Sequence, residues 1–460
     1  MIPPNTPAIN TSKGDLVILM MDVLEKGGGA PVYLRNHEDL PADIGNDIDL
    51  LIEPSKISEA EIMVRETAEH HGWTHLKSIQ FGPLSMFFRS RDGSDFIHID
   101  LFTRLEWHFL PFADAKKIIA RRRWNGLVFV PDPLDELFLN ICTRLYYQGV
   151  IREKHRSQAA VFLSTEDSGR FLEIVHGHIG STTANVIVPH VLSGDWKELE
   201  SMTRKCRRLL LSHVLSRRPL HLFVSLISFA RRGLRRLFSP TGPFIVFVGA
   251  DGVGKSSVID GCTSFMVSLT GKSDVLLFHW KPTRASVRRA GELTGGPQDP
   301  RGMQMRSPLL SPFFLCYHWL GFWAGYLRYV LPAVSRNRAV IGDRYAYEFL
   351  LDPERLRLNL PKWLRYLASF TTPKPDLVIG LVAQPETVAS RKQELSVDEI
   401  ERYQDNIKLL SKGRSYFSIL EADDTLIHTI KKTQNTIITN LYPLDSKWKC
   451  ASRFEKQARS

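Results

Sequence analysis

Two kinds of hydrophobic periodicity divide the chain. Residues of about 15 to 200 hold an alternating apolar and charged region followed by helical periodicity, whereas residues 243 to 441 show short β-rich runs separated by helical stretches. The second pattern predicts a parallel α/β sheet, whose strands are buried on both faces and so read as continuous apolar runs. Phe244-Ile-Val-Phe-Val248 and Asp376-Leu-Val-Ile-Gly-Leu-Val382 are such runs, and Arg338-Ala-Val-Ile-Gly-Asp343 is a short strand ending in a carboxylate. Tyr416-Phe-Ser-Ile-Leu420 precedes Glu421-Ala-Asp423 and an amphipathic helix from about Thr425 to Leu441. Between the halves, Phe223, Ile227, Ala230, Leu234 and Leu237 recur three and four apart with arginine pairs on the other side, which predicts a basic amphipathic helix. The expected organisation is a first domain over 1–200, a basic linker helix in 201–242, a second domain over 243–445 and a polar tail over 446–460. No internal repeat or low-complexity tract interrupts it.

Composition narrows the picture only in places. At 460 residues, 43% hydrophobic and 24% charged, the chain is globular and long enough for two or three domains. Its formal charge of +11 is local: Arg204 to Phe238 carries ten basic residues and no acidic one, leaving the rest close to neutral. Specific nucleic-acid binding, which needs charge spread over a face, is not expected. Two readings of the basic helix stay open, a linker with its apolar stripe packed on a domain and a peripheral anchor on an anionic membrane. Leu309 to Leu327 is long enough to span a bilayer but contains Pro312, His318 and two glycines, so it reads as a buried helix or a subunit-contact helix of a homodimer. Five scattered cysteines, with no C-x-x-C pair, argue for a reducing compartment and against a disulfide framework or zinc. The first apolar run, Leu16 to Met21, is flanked by Asp15 and Asp22 with no basic segment before it, so a cytoplasmic location is expected. Pro282 to Pro308 is a long loop of the kind that carries function.

The strongest chemistry follows the strand at 244–248. Gly249-Ala250-Asp251-Gly252-Val253-Gly254-Lys255-Ser256-Ser257 is a G-x-x-x-x-G-K-S loop between a strand and a helix. Its glycines let successive N–H groups turn inward on phosphates, Lys255 adds charge on the β and γ oxygens, and Ser256 is a candidate Mg²⁺ ligand at a helix start. Strand, motif and helix in register set it apart from a chance glycine-rich turn. ATP or a similar triphosphate is the expected ligand.

Four landmarks then come in order: the G-x-D-G-x-G-K-S-S loop, Asp343-Arg344-Tyr345 at a strand end, Pro375-Asp376-Leu377 opening a strand followed by Pro385-Glu386 and a basic helix, and a last strand leading to Ala422-Asp423. Together they resemble the thymidylate kinase family of nucleoside-monophosphate kinases over residues 244 to about 441. The resemblance implies Mg²⁺-ATP phosphoryl transfer to a small-molecule acceptor, run by positioning and electrostatics. It implies that Asp343 sits near the metal with Ser256, that Arg344 clamps the acceptor, and that Asp251 faces the acceptor's sugar. Arg391 and Lys392 would close over the transferred group, though a solvated helix face explains them as well. Departures leave the acceptor open between dTMP and another phosphorylated or sugar-like metabolite. His279-Trp-Lys281-Pro-Thr-Arg284 stands where the family has an R-E-P-G-G-type segment, the run after Tyr345 continues to Asp352-Pro-Glu-Arg355, and Arg391-Lys392-Gln393-Glu394 is an unusual charged cluster.

In the first half, Gly45-Asn-Asp47-Ile-Asp49 places two carboxylates on one face of a strand, and Asp100 ends a second alternating strand. Three such groups suit Mg²⁺. This pattern looks like the nucleotidyltransferase superfamily of DNA polymerase β, with the helical segment Leu134 to Tyr147 and Lys154-His155-Arg156 in the place of its accessory helices. The family's Gly-Ser turn is replaced by Tyr33-Leu-Arg35-Asn36, and solvent-facing acids on an edge strand are the ordinary alternative. The expected protein is thus an ATP-dependent kinase fused to a nucleotidyltransferase-like α+β domain. The alternative is a nucleotide-binding regulatory protein that interacts through its arginine-rich helix.

Overall fold

The computed structural model describes residues 11–42, 44, 47–163, 168–217, 219–289, 304–392 and 395–442, with backbone alone at 221, 288 and 289. Gly45, Asn46, Arg218, Gln393, Glu394, Cys450, most of the 282–308 loop and the 446–460 tail therefore lie outside it. The chain divides into two compact units, one up to Leu234 and one from Arg235.

Unit 1 opens with an α+β layer: α1 (Lys13–Lys26), β1 (Val32–Tyr33), β2 (Asp47–Leu51), α2 (Ile57–His70), β3 (Trp73–Gln80), β4 (Leu84–Ser90) and β5 (Phe96–Phe102). The sheet order is β1-β2-β5-β4-β3, with β2 and β5 parallel and the other pairs antiparallel. Alternation assigns the faces. Ile48, Leu50, Met86, Phe88, Ile99 and Leu101 pack in one core with Leu16, Met20 and Leu24 of α1 and Val64 and Ala68 of α2. Asp47, Asp49, His98 and Asp100, in register across β2 and β5, take the opposite face.

Two short hairpins follow, β6 (Leu105–Trp107) with β7 (Leu110–Ala113) and, after α3 (Ala115–Arg121), β8 (Arg123–Trp124) with β9 (Phe129–Val130). A helical layer completes the unit: α4 (Pro133–Tyr147), α5 (Glu153–Phe162), α6 (Ser168–Ile179), α7 (Ser181–Ser193), α8 (Trp196–Ser201) and α9 (Thr203–Arg217). Leu137, Phe138, Ile141 and Leu145 of α4 share its core with Phe171, Val175, Ile187 and Val188.

The basic segment departs from expectation in two ways. It forms two helices, α9 and α10 (Pro219–Phe238), with Pro219 opening the second, where a missing N–H is harmless. Cys206, Leu210 and Val214 carry α9 into the core, so it belongs to the folded unit and not to a linker starting at 201. In addition, α10 faces the wrong way for a linker packed by its apolar stripe. Ser225 is buried, Arg232 reaches Glu106 at 4.0 Å, and Phe229 meets His108 and Phe109. Phe223, Ile227 and Leu234 point outward, at 62%, 50% and 56% exposure.

Unit 2 runs β10 (Phe244–Val248), α11 (Lys255–Thr270), β11 (Leu276–His279), β12 (Val287–Arg289), α12 (Ser311–Gly325), α13 (Leu331–Val334), β13 (Val340–Asp343) and α14 (Glu348–Leu351). It continues with α15 (Lys362–Phe370), β14 (Leu377–Val382), α16 (Pro385–Arg391), α17 (Val397–Ser411), β15 (Phe417–Glu421) and α18 (Leu426–Leu441). The sheet order is β12-β11-β13-β10-β14-β15, parallel throughout except for the β12 edge. After β13 the chain crosses β10 to build β14 on its other side. That reversal opens a crevice at the carboxyl ends of β10 and β13, the place where open α/β sheets bind ligands.

The Leu309 to Leu327 segment is not a buried helix: Leu309, Phe313, Tyr317, Leu320 and Leu327 are exposed. Among the described residues no helix is long and apolar enough to cross a membrane.

Candidate functional site

β10 delivers the phosphate loop into that crevice and α11 receives it. Gly252 and Gly254 adopt φ of +91° and +96°, open to glycine at little cost. At Gly249 a Cβ would meet the Leu381 carbonyl oxygen at 2.8 Å, so the turn there also requires glycine. Ala250 and Val253 are buried and hold the loop from beneath. No side chain caps α11, which leaves the amides of its first turn for an anion, and Ser256 and Ser257 are exposed there. Lys255 is buried and donates to the carbonyls of Gly249 (2.8 Å) and Ala250 (2.9 Å). Burial, and next the Arg344 charge, bring its amine down to about 8.

β13 lies between β10 and β11, which sets Asp343 beside Phe247 and His279. His279 Nδ1 lies 3.1 Å from Asp343 Oδ2, while Asp343 Oδ1 is buried without a hydrogen-bond partner. Burial would raise this carboxyl; the His279 hydrogen bond and the Lys255 charge outweigh it and keep the group below the ordinary carboxylate value. An orphaned anionic oxygen and the Ser256 hydroxyl are hard donors of the type Mg²⁺ takes, so these residues fit the metal.

Arg344 stands in the left-handed region at φ +73°, almost fully buried. For a non-glycine residue such backbone costs on the order of 1–3 kcal/mol and persists only where surroundings enforce it. Here they do. Its guanidinium donates to Asp251 at 2.5 Å and to Glu348 at 2.9 Å, and Glu348 also accepts from the Tyr403 hydroxyl at 2.7 Å. Arg355 donates to the second oxygen of Asp251 at 2.9 Å. Burial would raise the Asp251 carboxyl, but Arg344, Lys255 and Arg355 overcome it and hold the group well below the usual range. The two residues that the resemblance assigns to clamping the acceptor and facing its sugar thus bind each other. The sequence assigns Glu348 and Tyr403 no role and shows Arg355 only as part of the Asp352-Pro-Glu-Arg355 departure after the D-R-Y run.

Arg391 and Lys392 end α16 and are exposed. The end of that helix rests on the loop: a Cβ on Gly252 would lie 2.9 Å from the Val388 carbonyl oxygen and 3.2 Å from Lys392 Cβ. At the end of β11, Trp280 packs on His318 and Phe322, and Lys281 Nζ lies 3.3 Å from His318 Nδ1. Burial, then Lys281 and Arg306, push His318 down to about 4, so Lys281 faces a neutral ring.

In unit 1 the three aspartates share a face, but protein cations already serve them. His98 bridges Asp47 (2.9 Å) and Asp100 (3.2 Å), and Ser85 donates to Asp100 at 2.5 Å. Burial works against the His98 charge, yet its contacts with the Asp100 and Asp47 carboxylates prevail and raise it to about 9. Arg35 Nε donates to Asp49 Oδ2, and Asp49 Oδ1 has no hydrogen-bond partner. Burial, opposed by Arg35, lifts Asp49 to about 6. β2 is an interior strand and Asp49 is buried, which overturns the reading of an exposed edge. Among the described residues, three ligand-type side chains come within 4.8 Å of one another at His37, Glu38 and Glu136, and not at the aspartates.

No protein-family model and no curated protein matches the chain. Among solved structures it is similar to a thymidylate kinase from Ehrlichia chaffeensis, at a TM-score of 0.30 and 14% identity, over 43% of this chain and 100% of that one. A likeness of that size carries no argument; the loop and its neighbours do.

Proposed function

We propose that unit 2 is an ATP- and Mg²⁺-dependent kinase of the thymidylate kinase type, acting on a nucleoside monophosphate such as dTMP or on a related sugar or phosphate metabolite. The observation that carries this reading is the uncapped start of α11 behind the Gly249–Ser257 loop, next to the orphaned oxygen of Asp343. The loop amides bind the β and γ phosphates. Lys255, released from the Gly249 and Ala250 carbonyls, moves its charge onto the same oxygens. Ser256 and Asp343 would hold Mg²⁺, which when bound neutralises charge building on the phosphoryl oxygens. Arg344 and Arg355 lock Asp251 and with it the loop. Trp280 and Lys281 offer the acceptor an aromatic surface and a cation, and Arg391 and Lys392 close over the transferred group.

The test is ADP release with Mg²⁺-ATP across nucleoside monophosphates, sugars and sugar phosphates, with Lys255→Ala as control. Acceptor-dependent release that vanishes in the variant supports the kinase. ATP binding without release for any acceptor class supports the second reading, a nucleotide-binding regulatory protein acting through α10. That reading is favoured by the outward apolar face of α10, with Arg231 and Arg235 exposed on the same helix, a combination suited to peripheral contact with an anionic membrane from the cytoplasm. The exposed Phe313, Tyr317 and Leu320 of α12 suit a homodimer contact. Unit 1 is read as a nucleotidyltransferase-like domain whose Mg²⁺ would displace His98 from Asp47 and Asp100.

A further inference from the structure

Unit 1 encloses a cavity of about 610 Å³, and none of its walls belongs to the phosphate loop. Helical periodicity builds one wall. Glu136, Asn140, Thr143 and Tyr147 recur three or four apart along α4, with Arg144 beside them, while Leu137, Phe138, Ile141 and Leu145 fill the core behind. The start of α5 adds Arg152, Lys154 and His155, and the β1–β2 side adds Arg35 and Asp49.

The cavity has two kinds of chemistry. Arg35 is committed to Asp49, and Arg104 and Arg232 both approach Glu106, at 3.6 and 4.0 Å. Arg144, Arg152 and Lys154 have no ion-pair partner among the described residues. Burial, and after it Arg152 and Arg35, hold the Arg144 guanidinium below its ordinary value, so these charges press on one another. No side chain caps α5, whose positive end joins them. His155, nine-tenths buried, leaves Nδ1 without a hydrogen-bond partner. The lining carries six arginines and lysines against four carboxylates, and the three cations outside any ion pair call for an anion. The remaining groups suit hydroxyls: the unpartnered Asp49 Oδ1, and the chain in which Asn140 donates to Gln158 (3.1 Å) and Gln158 to Glu136 (3.0 Å).

We propose that this cavity binds a phosphorylated polyol of the sugar phosphate class, its phosphate on Arg144, Arg152 and Lys154 and its hydroxyls on Asp49 and the Asn140–Gln158 amides. Inorganic phosphate would use only the cationic groups and a neutral sugar only the others. The volume is in the range of about 300–1,000 Å³ typical of small-molecule sites. A triphosphate fits less well, because among the described residues Gly82 is the single glycine in the lining, against the three glycines of the phosphate loop.

Calorimetric titration of the full chain with glucose 1-phosphate, glucose 6-phosphate, ribose 5-phosphate, glycerol 3-phosphate, glucose, inorganic phosphate and ATP tests this. At least one phosphorylated polyol should bind about tenfold or more tighter than both glucose and phosphate, a difference of roughly 1.4 kcal/mol. Arg144→Ala with Arg152→Ala should erase that margin, and Lys255→Ala should leave it intact. The double variant removes unpaired charge, so its thermal midpoint without ligand should equal or exceed that of the parent. The same sugar phosphate should no longer raise the midpoint. The proposal is overturned if no polyol phosphate saturates, if phosphate alone binds as tightly, if ATP is the preferred ligand of this cavity, or if the double variant keeps the binding.

Discussion

If unit 2 is the proposed kinase, Lys255 is the residue at which the needs of the fold and of phosphoryl transfer diverge, and Lys255→Met measures the divergence. The ammonium is buried, and its value in the folded protein is about 8 against an ordinary 10.5. A depressed amine binds its proton more weakly in the folded than in the unfolded chain. Its stability contribution is therefore complete above pH 10.5 and is lost as pH falls to about 8. At pH 7 the full difference applies, worth on the order of 3 kcal/mol against the folded state. Methionine fills a similar volume without charge but leaves the Gly249 and Ala250 carbonyls without their charged donor, a loss of about 1.5–3 kcal/mol for each hydrogen bond. At pH 7 the two effects oppose each other at comparable size, whereas near pH 9.5 the charge penalty shrinks, so the parent should gain about 2 kcal/mol on the variant between those pH values, or roughly 4–8 °C in the midpoint of a unit of this size.

Calorimetry at pH 7 and again near pH 9.5 would show the parent gaining on the variant, as its amine becomes neutral. Turnover should fall by about 10²–10³-fold or more, since a charge aimed at developing phosphoryl oxygens is lost. A difference between parent and variant that stays constant from pH 7 to pH 9.5 would refute the account of Lys255 as a destabilising charge held for catalysis. Retained turnover would refute its place on the phosphates.

Other expectations follow from single contacts. Arg344→Met strands Glu348 and loosens Asp251, and should cost about 3–5 kcal/mol in urea unfolding; a cost near zero would mean that the pair is replaceable. Asp343→Asn should leave the thermal midpoint of the ligand-free chain within a few degrees and abolish the Mg²⁺ dependence of ADP release, read by metal titration. Asp49, raised by burial to about 6 from 3.8, stabilises unit 1 below pH 3.8 and loses that contribution as pH rises through 6. Asp49→Asn should flatten the stability profile across that window. Kinase turnover should be unchanged in the Asp47→Asn, Asp49→Asn double variant if the units work independently.

What the sequence disclosed and what it hid separates along physical lines. Contiguous features were legible: a five-residue apolar run became β10, the glycine loop fell between strand and helix, and Leu134 to Tyr147 became α4. Each depends on neighbours a few positions away. What stayed hidden depends on distant partners. Asp251 and Arg344 looked like free groups waiting for an acceptor because nothing local reveals that 93 positions of chain bring them into contact, or that Arg355 joins from the other side. His98 was passed over for the same reason, since a histidine on an alternating strand shows its role only when β2 and β5 are laid in register.

The α10 case is different in kind. Its stripe follows from local spacing, and of the two orientations left open by the sequence the apolar face takes the outward one. Arg232 comes within 4.0 Å of Glu106 beneath the helix, while the stripe at Phe223, Ile227 and Leu234 is left outside. Periodicity specifies a face, and only the surface below specifies which way that face turns. An exposed stripe of this length on a helix with four arginines is costly in water and favourable on an anionic bilayer. Full-length protein should therefore co-sediment with vesicles of phosphatidylglycerol and not of phosphatidylcholine. Phe223→Ser with Ile227→Ser should weaken that about tenfold or more, and equal sedimentation with both lipids would show that the arginines play no part.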